Sequence, residues 1–464
     1  MGAGRPLVID EVRMLAWNFL QRIERSEVFT DLHLESAFSK NSPLRPLDRA
    51  FILELVLGTL RWRSRLDGAI LRAAKFPGKK IDPRLLHLLR LGAYQILFMD
   101  RVPHSAAVNE SVRLATAVFK NEKISGFANA VLRSVARNKN QENFPPFGTQ
   151  PIEYITEALS HPRWMVEDWV REFGPEITRD LCAANNLRPP FTVRVNTWKT
   201  SRKTLQEQLA AAGIQSLPTS FSPEGLILPG SPPLHEEPLF QKGLYFVQDE
   251  ASQVISHLLT PQPGERVLDA CAAPGGKSTH LAQLMEDKGE IISLDLYGPK
   301  IGLIRENCRR MGISIVKAFR TDASKPLPFP QELTFDRILV DAPCTGLGIL
   351  HRHPEIKWRR KPQDAQRLQR LQLSLLENVC GCLKRGGLLV YSTCTLTQEE
   401  NDFVVEAFLS THKDFHLQDL RLIVSNSFHP LIDKRGFYRT YPTLTTAGAD
   451  YRLDGFFAAR MRKN

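Results

Sequence analysis

The chain has 464 residues, 42% of them hydrophobic and 24% charged, which is ordinary for a folded protein but too long for a single compact core, so two or three domains are expected. Its net charge of +11 is unevenly placed: residues 1–140 carry 23 Lys+Arg against 13 Asp+Glu, whereas the other 324 carry 38 against 37, which points to a polyanion, most simply nucleic acid, as the partner of the first third. Seven scattered cysteines argue against a disulfide framework, no apolar run is long enough to span a membrane, and the opening "MGAGRPLVID" has neither a secretion core nor, with Pro6, a myristoylation pattern; a cytoplasmic monomer is expected.

In chain order, residues 7–137 show helix after helix. "RPLDRAFILELVLGTLRWRSRLDGAILRAA" keeps a helical apolar period, "DPRLLHLLRLGAYQILFM" begins with a capping Asp82 and Pro83, and "FANAVLRSVARN" adds another stripe. The polar, proline-bearing "RNKNQENFPPFGTQP" reads as linker. A mixed region follows, with a helix at Trp164–Phe173, a strand at Phe191–Thr197, a helix at Lys203–Ala212 and short strands in "GLILPG" and "GLYFVQ", together a small α+β subdomain. From Pro263 onward apolar strands alternate with helices: "RVLDAC", "EIISLDL", "SIVKAF", "FDRILVDAP", "GLLVYSTC" and "DGFFAARMRK", with helices at Lys277–Met285 and Gln363–Leu383. That alternation predicts a parallel sheet covered on both faces.

The first of these strands runs into "DACAAPGGKST". A phosphate-binding loop needs G-x-x-x-x-G-K-[ST], and Cys271 stands where the first glycine belongs; the dinucleotide pattern G-x-G-x-x-G is also missing. Pro274-Gly275-Gly276 still makes a tight turn at the carboxyl end of a strand, where open α/β sheets bind ligands. Asp295 ends the second strand, suited to the hydroxyls of a ribose, and Asp322 follows the third; a solvated carboxylate or helix cap competes, more strongly for Asp322. A nucleoside without a long phosphate tail fits, and S-adenosylmethionine has that form.

Two thiols follow. The fourth strand ends in "DAPCTGLG", with Asp341, Pro343 and Cys344, and the fifth in "YSTCT", with Cys394, so adjacent parallel strands place both at one rim. Cys182, Cys308, Cys380 and Cys382 fall in helical stretches and read as small buried hydrophobes. No metal site is expected, because no C-x-x-C pair exists and His351-x-His353 lacks partners at ligand spacing. Two thiols and a carboxylate beside such a cofactor suit methylation of a pyrimidine carbon. A thiolate adding to carbon 6 of cytosine makes carbon 5 nucleophilic, Asp341 near ring nitrogen 3 would stabilise the adduct, and a base must finally remove the carbon-5 proton.

"DACAAPGGKST", "LDLYGPKI", "TDAS", "DAPCTGLG", "HRHPEIKW" and "YSTCT", in this order from about Gly243 to the C-terminus, resemble the NOL/Sun family of RNA cytosine-5 methyltransferases. "LDRAFILELVLGTLRWRSRLDGAI" and "HSAAVNESVRLA…FANAVLRSV" resemble NusB, an RNA-binding helical domain, and that fusion is the arrangement of bacterial small-subunit rRNA methyltransferases of the RsmB type. The resemblance implies an all-α NusB-like domain (1–140), a linker (141–160), a small α+β, ferredoxin-like or RRM-like RNA-binding subdomain (161–246), and an α/β Rossmann-like catalytic domain (247–464). It implies S-adenosylmethionine as cofactor, held by Cys271, Ala272, Ala273, Pro274, Gly275, Gly276, Lys277, Asp295, Asp322 and Asp341. It nominates Cys394 as the attacking thiol and Cys344 as the one assisting release, with Asp341 and Lys277 completing the catalytic set. Thr395 stands where relatives commonly have serine, and a hydroxyl is kept. "HRHPEIKWRRK", His351–Lys361, is expected beside the pocket, contacting RNA. The substrate implied is small-subunit rRNA, with tRNA, a non-catalytic NusB-like RNA-binding factor and a P-loop ATPase as alternatives.

Overall fold

The computed structural model describes residues 10–25, 44–74, 81–141, 143–230, 234, 237–330, 332–447 and 451–464. The expectations about the first nine residues, Pro6 included, lie outside these. The chain divides into two compact units, Met1–Leu187 with Leu350–Arg359, and Arg188–Ile349 with Arg360–Asn464. No helix among the described residues is long and apolar enough to cross a membrane.

The first unit is helical, as its periodicity predicts: α1 (Glu11–Arg25), α2 (Pro46–Arg61), α3 (Arg63–Ala74), α4 (Pro83–Phe98), α5 (His104–Phe119) and α6 (Glu122–Arg137). The Asp82 side chain accepts from the Arg84 amide, so α4 starts on the predicted cap with Pro83 in its first turn. Asn121 caps α6 in the same way. Leu55, Val56, Leu88, Leu89, Ile96 and Leu132 meet in one core. Three further helices complete this unit: α7 (Pro151–Ala158), inside the stretch expected as linker, and α8 (Arg163–Phe173) and α9 (Pro175–Asn185), which the sequence grouped with the small sheet.

The segment Leu350–Arg359 corrects an expectation. His351 and Glu355 are buried, and Lys357 is fully buried in the helical unit, its ammonium donating to the Arg61 carbonyl at 2.7 Å, the Ser160 carbonyl at 2.8 Å and Asn186 Oδ1 at 3.3 Å. The Trp358 indole N–H donates to the Leu60 carbonyl at 2.6 Å, and Arg359 to that of Ile23 at 2.8 Å. A lysine buried this way cannot serve phosphates. Carbonyl capping explains why its charge is tolerated, and burial still pulls its pKa down.

In the second unit, β1 (Thr192–Val195), β2 (Leu217–Pro218), β3 (Gly225–Ile227) and β4 (Tyr245–Val247) form an antiparallel sheet in the order β2-β3-β1-β4, packed on α10 (Arg202–Ala211) through Val193, Val195, Leu205, Leu209 and Leu226. After α11 (Glu250–Leu259) comes the large sheet: β5 (Arg266–Asp269), β6 (Glu290–Asp295), β7 (Val316–Arg320), β8 (Phe335–Asp341), β9 (Leu383–Thr393) and β10 (Phe415–Gln418). Between them lie α12 (Gly276–Leu284), α13 (Gly298–Met311), α14 (Asp364–Cys380) and α15 (Asp402–Thr411). The short pieces β11 (Tyr438–Arg439), β12 (Thr445–Thr446) and β13 (Tyr451–Arg452) precede the last strand, β14 (Phe457–Lys463).

The order is β10-β14-β9-β8-β5-β6-β7, parallel from β9 to β7, with β14 and β10 antiparallel at one side. Alternation along the strands feeds two cores: Val267, Ile291, Leu339 and Val390 face the helices α11–α13, while Leu268, Ile292, Ile338, Val340 and Leu389 face α14 and α15. Cys182, Cys308 and Cys380 are buried, as expected of small hydrophobes; Cys382 instead occupies the turn between α14 and β9 and is only partly covered.

Candidate active site

Strand order reverses between β5 and β8, and their carboxyl ends define the crevice where such sheets take ligands. β5 ends at Asp269, and the turn through Cys271–Gly276 leads into α12. Gly275 sits at φ +99°, and a Cβ there would lie 3.2 Å from Ile304 Cα, so both backbone and space favour glycine. Behind the turn lies a residue that sequence reasoning missed. Arg194 of β1 is fully buried and donates to the Gly276 carbonyl at 2.5 Å, Thr279 Oγ1 at 2.9 Å and Gln283 Oε1 at 3.1 Å. Burial draws its pKa down to about 9, and the acceptors around it compensate for lost water. A charge between the two valines of the "TVRV" strand was the available signal.

Asp269, Asp295 and Asp341 come together around Cys271. Cys271 lies within the influence of Asp269, Asp341 and Asp295; burial, then these charges, hold its thiol well above the usual range. Asp295 closes β6, accepts from the Tyr297 amide at 3.0 Å, and has Leu296 and Tyr297 exposed beside it, an apolar surface fit for a nucleobase. Asp322 is engaged locally, accepting from Ser324 Oγ at 2.6 Å and the Ser324 amide at 3.1 Å, and the Ser324 hydrogen bond lowers its pKa. Asp269, the other omission, is fully buried: Oδ2 accepts from Ser278 Oγ at 2.6 Å, Oδ1 has no hydrogen-bond partner, and burial pushes its pKa up to about 7.

Asp341 ends β8 with both oxygens engaged, Oδ2 by Lys277 Nζ at 2.6 Å and Oδ1 by Ser392 Oγ at 2.7 Å. Asp341 and Ser392 are register partners across β8 and β9, so Cys344 and Cys394 leave the sheet side by side. Their sulfurs are 3.3 Å apart, and both residues are partly exposed. The hydrogen bond with Cys394, then burial, raises the Cys344 pKa well above the usual thiol range. One member of the pair is thereby kept protonated beside the other.

Glu400 holds the two thiol-bearing loops, and no spacing pattern points to it. Its Oε1 accepts from the Thr345 amide at 2.8 Å and Gln372 Nε2 at 3.1 Å; its Oε2 accepts from Thr345 Oγ1 at 2.5 Å and Thr397 Oγ1 at 2.9 Å. Thr345 Oγ1 also meets Thr395 Oγ1 at 2.6 Å, and Asn401 Nδ2 donates to the Thr395 carbonyl at 3.1 Å. Arg360 donates to the carbonyls of Thr345 at 2.8 Å and Cys344 at 3.1 Å.

A nucleoside-sized turn at the switch point of a largely parallel sheet, with paired thiols at the same rim, defines a group-transfer enzyme of the Rossmann-like class. The 16S rRNA methyltransferase RsmB/F family matches residues 256–462, the NusB family residues 10–137, and an RsmF/B-like ferredoxin-like domain residues 161–235. A probable ribosomal RNA small subunit methyltransferase B of Bacillus subtilis is 37% identical over 97% of this chain and 98% of its own; that of Synechocystis is 35% identical over 97% and 99%. The ribosomal RNA small subunit methyltransferase B of Escherichia coli O157:H7 is 35% identical over 80% and 84%. A solved methyltransferase homolog from Pyrococcus horikoshii is 32% identical over 66% of this chain and 97% of its own, with a TM-score of 0.56, and NSun6 from the same organism, solved with SFG, is 26% identical over 65% and 98%, with a TM-score of 0.57. This chain belongs to the ribosomal RNA small subunit methyltransferase B family and is a methyltransferase.

Proposed function

We propose that the enzyme methylates carbon 5 of a cytosine in small-subunit rRNA, using S-adenosylmethionine and a covalent Cys394–cytosine intermediate. The names of its relatives support the rRNA substrate, and a neighbour solved with SFG, an S-adenosylmethionine analogue, supports the cofactor. The residues present fit that cofactor. Asp295 suits the ribose hydroxyls, Leu296 and Tyr297 the base, and the Cys271–Lys277 turn, with Asp322 just after β7 and Asp341 ending β8, the remainder. When bound, the cofactor supplies an electrophilic methyl group.

The single observation that carries the thiol chemistry is the 3.3 Å sulfur pair at the ends of two adjacent strands. The Cys394 thiolate bonds to carbon 6, the carbon 5–carbon 6 π electrons shift so that carbon 5 becomes nucleophilic, and Lys277, through Asp341, offers the proton that neutralises ring nitrogen 3. Carbon 5 takes the methyl group. With Cys394 bonded to carbon 6, Cys344 is the thiol left beside carbon 5; it gives its own proton to solvent and accepts the one on carbon 5. The electrons of the carbon 5–hydrogen bond re-form the carbon 5–carbon 6 double bond as the carbon 6–sulfur bond breaks, its electron pair returns to Cys394, and ring nitrogen 3 gives its proton back to Asp341. The base must be unstacked to reach these atoms. The enzyme acts as a monomer, in the cytoplasm where rRNA is modified.

Cys394→Ala should abolish methylation with cofactor binding nearly intact, and Cys344→Ala should accumulate a protein–RNA adduct, seen as a slow band on a denaturing gel. Full activity of Cys394→Ala, or normal turnover of Cys344→Ala without that band, refutes the respective role. Bisulfite sequencing of total RNA with and without the gene identifies the cytosine and separates rRNA from tRNA.

A further inference from the structure

Away from the thiols, three side chains from separate elements of the second unit converge: Glu224, just before β3; His257 on α11; and His280 on α12. Glu224 Oε2 lies 2.9 Å from His257 Nε2 and 3.8 Å from His280 Nε2, and one ligand atom from each residue falls within 4.8 Å of the other two. His280 is fully buried, yet neither ring nitrogen has a hydrogen-bond partner. Buried polar atoms are nearly always satisfied, so such an imidazole calls for a ligand. Two imidazoles and a carboxylate are the donor set of mononuclear transition-metal sites, and donors at about 2.0–2.1 Å from a tetrahedral ion stand about 3.3 Å apart, a value that the 2.9 and 3.8 Å separations bracket.

The surroundings support the carboxylate. Ser222 Oγ is 3.3 Å from Glu224 Oε2 and 2.7 Å from Gln253 Oε1, and the Ser222 amide donates to Glu250 Oε1 at 2.8 Å, so the loop carrying Glu224 is anchored to α11. The nearby Arg194 cation is occupied by the Gly276 carbonyl, Thr279 and two glutamine amides. We propose that Glu224, His257 and His280 form a site for one divalent transition metal of the zinc type. The ion ties the small sheet to α11 and to α12, the helix that leaves the cofactor turn and carries Lys277. The proposal does not depend on which base the enzyme methylates.

The test uses the full chain with Cys344→Ser and Cys394→Ser, so that those thiols do not compete for metal, stripped with a chelator and titrated with zinc against a chromophoric competitor. One ion per chain is expected, cobalt(II) substitution should give ligand-field bands without a thiolate charge-transfer band, and zinc should raise the melting temperature. Glu224→Gln and His257→Gln should each weaken binding by about a hundredfold or more, since even outer-shell changes cost about 10–100-fold, and should abolish the thermal shift. Circular dichroism of the metal-free proteins checks folding; if Glu224→Gln does not fold, His257→Gln at its half-buried position decides. No zinc uptake, uptake unchanged in the variants, or a thiolate band overturns the proposal.

Discussion

Replacing Glu400 tests whether the loop clamp sets the geometry of the thiol pair. Its carboxylate accepts four hydrogen bonds, three of them from Thr345 and Thr397, and it is fully buried. Glu400→Gln keeps the shape. Its amide oxygen can still serve the Thr345 amide and Gln372, while its NH2 faces two hydroxyls that can rotate to accept. What is lost is charge assistance, roughly 1 kcal/mol for each of four bonds and about 2–4 kcal/mol in all. Glu400→Ala leaves the Thr345 amide without this partner and frees both loops, and a shift of about 1 Å in reacting groups can cost about a hundredfold in rate. The expected result is a graded loss of methyl transfer, Gln less than Ala, with cofactor affinity little changed, because Glu400 touches none of the cofactor turn. The assay is single-turnover transfer from radiolabelled cofactor, beside calorimetric cofactor binding. A folded Glu400→Ala enzyme with the wild-type transfer rate refutes the clamp, as does a variant whose whole defect lies in cofactor affinity.

Asp269 should make stability depend on pH. Its folded pKa, about 7, lies above the unfolded value of about 3.9, so its contribution is fully present below about pH 4 and is lost as pH rises through about 7. A shift of about 3 units corresponds to about 4 kcal/mol, and Asp269→Asn should remove that slope in urea denaturation at a series of pH values; parallel curves for the two proteins contradict it. Lys357→Met should destabilise the helical unit by about 2–5 kcal/mol by removing the ammonium that donates to the Arg61 and Ser160 carbonyls, measured by thermal or urea unfolding. A variant as stable as wild type but unable to bind RNA would restore the phosphate-contact role that burial denies this residue.

The sequence by itself determined what local periodicity and short motifs encode. Helical spacing and the Asp82 cap announced the helices of the first unit, strand-and-helix alternation announced the parallel sheet, and the ends of β5, β6, β8 and β9 announced Cys271–Gly276, Asp295, Asp341, Cys344 and Cys394, because strand ends in such a sheet share one rim. Tertiary structure alone decided the rest. Arg194, Glu400 and the Glu224–His257–His280 group draw their partners from residues far away along the chain, and no spacing rule records a hydrogen bond between β1 and α12 or between two loops that follow different strands. Lys357 is the sharpest case. Among basic neighbours it reads as a solvated cation, and only the fold reveals carbonyls waiting at its ammonium, because desolvation depends on what surrounds a side chain rather than on what adjoins it in sequence.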